Sequence, residues 1–461
     1  MKISSWSLLV IILFASACTT TRISNSSNKS VSGYVQEHLL NDSTLQHAQV
    51  GVAVYDPSTG KYLHNYKGDK YFTPASNVKL FSCYAAMKYL ADSLTGIQYF
   101  ENDTAIFLIP TGDPTLLHPD YRSQPVIRFL QQSKKPLYIN KPIWKSQAWG
   151  RGWSWDDYND DYMVERSPLP VYGNVVEWIQ EYNQPVVPDA NGFLPSPSLY
   201  SNPEVSWKVR FTADTASNFN VQRAISENIF HVTQSSQAKA TQFVPFVTNG
   251  LQAALELLPD TVGKEIGETS NATLRKFYRA GLQLISLGSV ASQPLDSLLK
   301  PMMYRSDNFF AEQCLQMVSY QLLQEFNERK LIDTLLKTDL KDLPHPPSWA
   351  DGSGLSRFNL FTPEDFVALL QKMEKDFGME RLKDILATGG KGTLKNFYNA
   401  DSGFVYAKTG TLSGVVALSG FLITKQNKKL IFSVLVNNHH GSAVAIRRKV
   451  EDFLTEIRKN N

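Results

Sequence analysis

Cysteine is scarce in this chain, three residues in 461, and one of the three lies close to the N-terminus. So few thiols exclude a disulfide framework and any multi-cysteine metal site. Cys83 and Cys314 sit among apolar neighbours, which predicts buried free thiols rather than a disulfide or a nucleophile. Charge of one sign is also lacking. Lys and Arg number 46 against 43 Asp and Glu, and the resulting +3 is too small and too dispersed for a nucleic-acid footprint. There is no H-E-x-x-H zinc pattern and no G-x-S-x-G elbow, so the sequence calls for no metal or other cofactor and does not read as an α/β-hydrolase. Internal repeats and long low-complexity runs are absent too. What is abundant is hydrophobic residues, 43% of the chain, enough for two or three cores.

The apolar run Trp6 to Phe14 follows Lys2 and is too short to span a bilayer. It reads as an export signal. Ala15-Ser16-Ala17-Cys18 then resembles a bacterial lipobox, with Cys18 as the lipid attachment point and Ala15 standing where Leu is usual; the alternative is a plain secretory signal with an incidental Cys. Residues 1–18 are therefore expected to be a lipoprotein-type signal peptide and 19–35 a flexible tether, since Ser24 to Ser32 is rich in Ser and Asn. The expected location is the periplasm, with the protein held to a membrane by its N-terminal lipid.

Along the mature chain, Val50, Val52 and Val54 alternate with small residues, and Asp56-Pro57-Ser58-Thr59-Gly60 supplies a turn before Lys61-Tyr62-Leu63: a β-hairpin. Leu80 to Met87 is apolar nearly all round and predicts a buried helix with Ser76 in its first turn. At the other end, Val415 to Thr424 and Leu430 to Asn438 read as a second hairpin. Ile446, Val450, Phe453, Leu454 and Ile457 have the spacing of a helix packing one face on that sheet. Both chain ends thus build one α/β domain, while residues 96 to 284 shift to Pro, Trp, Tyr and short strands, as an insertion would.

Three short patterns follow in order: Ser76-Asn77-Val78-Lys79, Ser306-Asp307-Asn308 and Lys408-Thr409-Gly410. Alone, S-x-x-K is weak; it recurs at Ser26/Lys29, Ser58/Lys61, Ser236/Lys239 and Ser297/Lys300. Only Ser76/Lys79 opens a buried helix, where i,i+3 spacing brings the two side chains within reach for proton transfer. Lys408-Thr409-Gly410 is the chain's single such triplet, and it leads into the strand-like run from Thr411, where a sheet edge can align a peptide.

In these three patterns the chain resembles the class C low-molecular-mass penicillin-binding proteins, the D-alanyl-D-alanine carboxypeptidase and endopeptidase family. The resemblance extends to Gly112-Asp113-Pro114-Thr115-Leu116, Gly152-Trp153-Ser154-Trp155-Asp156-Asp157, Asp351-Gly352-Ser353-Gly354-Leu355-Ser356-Arg357 and Gly392-Thr393-Leu394, and so covers nearly the whole mature chain. The turn-like blocks among these have a structural reading as well. The resemblance implies a penicillin-recognising serine transpeptidase-like α/β (α+β) fold, an antiparallel sheet with helices on both faces and inserted β-rich subdomains. The expected division is a catalytic domain at 36–95 and 285–461, a subdomain at 96–172 and 262–284, and another at 173–261. It also implies that Ser76 is the nucleophile, Lys79 its base, Ser306 a proton relay and Asn308 a partner of substrate and Lys79. Lys408 and Thr409 would hold the substrate carboxylate, Gly410 would permit close approach, and the N–H groups of Ser76 and Thr411 would form the oxyanion hole. Peptidoglycan peptides are the expected substrates, β-lactams the expected covalent inhibitors, and the family allows a homodimer.

Two other functions compete. A β-lactamase shares the fold but needs a deacylation base, and no E-x-x-L-N segment follows Ser306-Asp307-Asn308. A catalytically silent wall-binding protein could keep the fold, but the intact Ser76, Lys79, Ser306 and Lys408 argue against it.

Overall fold

The computed structural model of the chain describes residues 30–183, 185–187, 195–212, 218–270 and 287–461. Cys18, the leader expected at 1–18 and the tether residues up to 29 lie outside these.

A six-stranded antiparallel sheet carries the molecule. Its strands, in spatial order, are Ala387–Thr388, Val405–Leu412, Val415–Ile423, Lys429–Asn437, Gln49–Asp56 and Lys61–Tyr66, so both ends of the chain meet in one sheet. The central strands are buried on both faces, which is why they read as unbroken apolar runs instead of alternating ones. Alternation survives in which core each residue joins. Ala417, Phe421, Ile431 and Leu435 face the helices Lys79–Tyr89, Asn308–Leu323 and Pro363–Phe377. Val416, Leu418, Leu422, Phe432, Val434 and Val436 face the helix Ala443–Asn460. That last helix buries Ile446, Val450, Phe453, Leu454 and Ile457, the stripe its spacing predicts.

The Lys79–Tyr89 helix is buried on nearly every side because it packs among the helices Leu295–Tyr304, Asn308–Leu323 and Pro363–Phe377. A charged residue at its start therefore has little water. Cys83 and Cys314 face each other's surroundings there as buried free thiols.

Two expectations of extent change. Residues 31–35, expected to be tether, form a helical turn in which Val31, Tyr34 and Val35 are buried against the sheet and the C-terminal helix. The apolar face available between those elements outweighs the polar composition around it. In the insertion, a five-stranded mixed sheet takes Ser93–Glu101, Ile106–Pro110, Leu137–Asn140, Ile266–Thr269 and Gly288–Pro294. Ser93–Glu101 thus runs across the expected boundary at 95/96, and Gly288–Pro294 joins this sheet although it lies beyond the expected boundary at 284/285. Two three-stranded sheets follow, built from residues 175–181, 198–202 and 239–245, and from 208–211, 220–224 and 227–233. Among the described residues no helix is long and apolar enough to cross a membrane.

Candidate active site

Pro74 leads into a 3₁₀ turn, Ala75–Val78, that feeds the Lys79–Tyr89 helix. Ala75 sits at φ +48, a left-handed conformation that costs a residue with a Cβ, and Ser306 sits at φ +63. Both strained positions lie at the same cavity. The side-chain amide of Asn77, oriented to donate to the Lys408 carbonyl at 2.7 Å and to accept from Ser419 Oγ at 2.8 Å, ties this turn to the Val405–Leu412 strand. A Cβ at position 410 would come within 2.6 Å of the Pro74 carbonyl oxygen, so only glycine lets strand and turn close up.

Lys79 Nζ lies 3.0 Å from Ser76 Oγ, 2.6 Å from Asn308 Oδ1 and 2.7 Å from the Ser353 carbonyl. Two of these neighbours only accept, whereas Ser76 can donate. A neutral amine with two N–H bonds to Asn308 and Ser353 is left with its lone pair for the Ser76 hydroxyl. Burial pushes the Lys79 pKa down from 10.5 to about 8, against the opposing pull of Asp351, Asp307 and Glu312.

Lys408 is also fully buried, and donates to Ser306 Oγ at 2.9 Å and to the Thr409 carbonyl at 2.7 Å. Burial, then the nearby Lys79 and Arg447, holds its pKa well below the ordinary lysine value. Asp307 caps the Asn308–Leu323 helix by accepting from Phe310 N, which fixes Ser306 and Asn308 at the helix entrance. Asn308 Nδ2 donates to the Tyr162 carbonyl at 2.9 Å and so reaches the inserted segment.

These groups border one cavity of about 750 Å³, whose walls include Ser76, Ser306, Asn308, Thr409, Thr411 and, from the insertion, Asp157. Lys79 and Lys408 lie beneath it. Of the residues that sequence placed in the catalytic or substrate-binding group, Ser76, Ser306, Asn308, Thr409 and Thr411 line this cavity, Lys79 and Lys408 bond to its walls from beneath, and Gly410 packs against the Pro74 carbonyl, while Cys18 is outside the described residues. Of the Trp-rich block, Trp153 packs inward and donates to Asp351 Oδ2 at 2.8 Å, whereas Trp155 is 72% exposed. Asp113 is a buried turn residue that accepts from Thr115 N and Ser292 Oγ.

Sequence reasoning missed the layer behind Lys79. Glu312 accepts from Ser353 N at 2.7 Å, and so steadies the carbonyl that holds Lys79. Asp351 accepts from the N–H groups of Gly354 and Ser356. Arg166 from the insertion pairs with Glu312 at 3.3 Å and with Glu328 at 3.4 Å. A signal existed for Glu312, a lone charge in the apolar run Phe309 to Leu315; none pointed to Arg166 or Arg447. Among the described residues no cluster of His, Cys, Asp and Glu could hold a metal ion.

An antiparallel sheet between two helical layers, with serine and lysine side chains gathered at its edge, defines a penicillin-recognising serine enzyme. The family is shown directly: residues 31–457 match the D-Ala-D-Ala carboxypeptidase 3 (S13) family. The chain belongs to that family and is a serine-type carboxypeptidase of the class C low-molecular-mass penicillin-binding proteins. It is 28% identical to a D-alanyl-D-alanine carboxypeptidase of Actinomadura sp. (strain R39), with 88% of this chain and 80% of the relative covered. It is 25% identical to the D-alanyl-D-alanine carboxypeptidase DacB of Haemophilus influenzae, covering 85% and 86%. The crystal structure of penicillin binding protein 4 (dacB) from Haemophilus influenzae has the same fold, with a TM-score of 0.68 at 21% identity over 93% of this chain and 98% of that one.

Proposed function

We propose that the protein removes the terminal D-Ala from D-alanyl-D-alanine stem peptides through an acyl-enzyme on Ser76, and also cleaves D-Ala cross-links between stems as a D,D-endopeptidase. The observation that carries the reading is the buried Lys79 amine 3.0 Å from Ser76 Oγ, with its other two close partners able only to accept. Lys79 takes the Ser76 proton as Oγ bonds to the carbonyl carbon. Negative charge gathers on the carbonyl oxygen, for which the N–H groups of Ser76 and Thr411 serve as donors. Ser306, bridged to Lys408, passes a proton to the leaving amine as the peptide C–N bond breaks. Water then attacks the ester and restores Ser76. Asn308 and Thr409 hold the peptide over the strand, and Lys408 lends positive charge from below.

β-Lactams acylate the same serine in this reading. The sequence has no E-x-x-L-N segment after Ser306-Asp307-Asn308, so the β-lactam adducts are expected to persist far longer than the D-alanyl acyl-enzyme. A fluorescent penicillin is expected to label the wild-type protein covalently and Ser76→Ala not at all; equal labelling of the two would refute the nucleophile. Mass spectrometry of muropeptide digests separates loss of one D-Ala from the splitting of dimers. We also propose periplasmic anchoring by a lipid on Cys18. Acyl groups on the mature N-terminus, absent in Cys18→Ser, are the expected mass-spectrometric result.

A further inference from the structure

Of the two arginines that border the cavity, exposed Arg357 donates to the Ser413 carbonyl, whereas Arg447 keeps a buried Nε without a partner. Arg447 lies in the first turns of the Ala443–Asn460 helix and shares the cavity wall with Ser76, Thr409 and Thr411. Its neighbour Arg448 pairs with Glu451, but Arg447 has no carboxylate oxygen within 4.0 Å among the described residues. Nη2 donates to Thr411 Oγ1, and the guanidinium carbon lies 6.0 Å from the centre of the Phe397 ring. Nε is buried and has no hydrogen-bond partner. Thr393, on the same wall, likewise has a buried Oγ1 without a partner.

Arg447 is half-buried, and the buried Nε of a charged guanidinium left without an acceptor costs free energy until one arrives. Burial draws the Arg447 pKa down from its ordinary value, yet a guanidinium keeps its charge in a protein. The cavity therefore presents a forked cation with unused capacity, and a carboxylate fits its geometry. A carboxypeptidase substrate brings one. When a single residue leaves, its carboxylate lies only about 3.8 Å of chain beyond the attacked carbonyl. Its partner must share the cavity with the nucleophile, as Arg447 does. Lys408, by contrast, is fully buried and already engaged by Ser306 Oγ and the Thr409 carbonyl.

We infer that Arg447 binds the free carboxylate at the C-terminal end of the substrate, with Thr411 holding the guanidinium in place and Lys408 acting on that carboxylate only from beneath. The inference rests on reading this cavity as the D-alanyl-D-alanine site. It makes Arg447 the residue by which the enzyme tells a chain end from an amide.

The test needs no turnover. Nα-acetyl-D-alanyl-D-alanine and its C-terminal amide are titrated into folded Ser76→Ala protein by NMR. The acid is expected to bind about ten- to a hundredfold more tightly, the scale of a charge-assisted hydrogen bond. Adding Arg447→Gln should bring that ratio to within about threefold of unity, and Arg447→Lys, which keeps the charge but not the fork, should leave an intermediate ratio. An unchanged preference for the acid in Arg447→Gln, or no preference in Ser76→Ala itself, overturns the inference. If Arg447→Gln does not fold, the Arg447→Lys ratio decides: equality with the Arg447 protein counts against the role. Failure of the underlying reading looks different. There, wild-type protein leaves both peptides intact and takes no penicillin label, while the Arg447-dependent preference for the acid persists.

Discussion

An ordinary lysine at pH 7 is neutral in only about three molecules in ten thousand, too few to serve as a base. Burying Lys79 and lowering its pKa to about 8 raises that share to about a tenth. The direction follows from desolvation, which disfavours the ammonium, while the carboxylates of Asp351, Asp307 and Glu312 resist it. Acylation by a β-lactam should therefore climb with pH along one ionisation near 8 and level off above it, because the neutral amine is the active form. Lys79→Arg keeps a positive charge but cannot deprotonate. Stopped-flow acylation of a folded Lys79→Arg variant is expected to be slower by on the order of a hundredfold or more and to lose the limb near pH 8. A variant within about tenfold of wild type, about 1.4 kcal/mol in barrier, would show that Lys79 is not the base.

At the scale of elements, the site depends on how closely three backbone segments approach. The Asp351–Leu355 turn lies against the 3₁₀ turn that carries Ser76, and a Cβ on Gly354 would fall 1.9 Å from the Ala75 carbonyl oxygen and 3.0 Å from Ser76 N. Neither atom belongs to a side chain that can swing aside. Gly354→Ala is thus expected to push the nucleophile turn out of place, lowering penicillin acylation more than tenfold along with the melting temperature. Gly263 offers a comparison, since its backbone is left-handed helical at φ +76 and ψ 21, close in φ to the +82 of Gly354, but nothing lies within 4 Å of its Cβ position. Gly263→Ala should carry only the left-handed backbone cost, about 1–2 kcal/mol of stability, and acylate at the wild-type rate. Equal acylation in the two variants would show that the close approach at Gly354 is not what holds Ser76.

Over the whole molecule, the insertion is joined to the helices behind the site through a buried charge cluster. Arg166 and Glu312 are each about 1% exposed, and the ion pair between them joins segments 146 residues apart in the chain. Burial, then the neighbouring Asp351, pushes the Glu312 pKa from 4.5 to about 7, while Arg166 and Ser353 oppose the shift. The sign for stability follows from linkage. Between pH 4.5 and about 7 the unfolded chain has released a proton that the folded chain still holds, so Glu312 costs stability as pH rises through that interval and no more above it. Glu312→Gln removes the titration. Urea unfolding at several pH values should show the variant gaining on wild type from pH 5 to 7.5, and a stability difference independent of pH would contradict the assignment.

How much of this was legible beforehand depends on the range over which each signal acts. The pairing of Ser76 with Lys79 and the apolar stripe from Ile446 to Ile457 are set by residues a few helical turns apart at most, and such spacings are written directly in the chain. The order of the three motifs, with the resemblance they carry, was readable for the same reason. Residues 31–35 follow directly on a Ser- and Asn-rich stretch whose polarity masks them, and the apolar surface that Val31, Tyr34 and Val35 meet is what makes them fold. Arg166 and Arg447 carry no local mark, since their roles arise from groups brought together across the sheet and the insertion, whereas Asp351 acts within its own turn, accepting from Gly354 N three residues on. Sequence by itself determined the chemistry available and the elements that bear it. The tertiary structure alone decided which charges lose water and which carbonyl faces Lys79, because desolvation and close approach depend on what packs against a group and not on its neighbours in the chain.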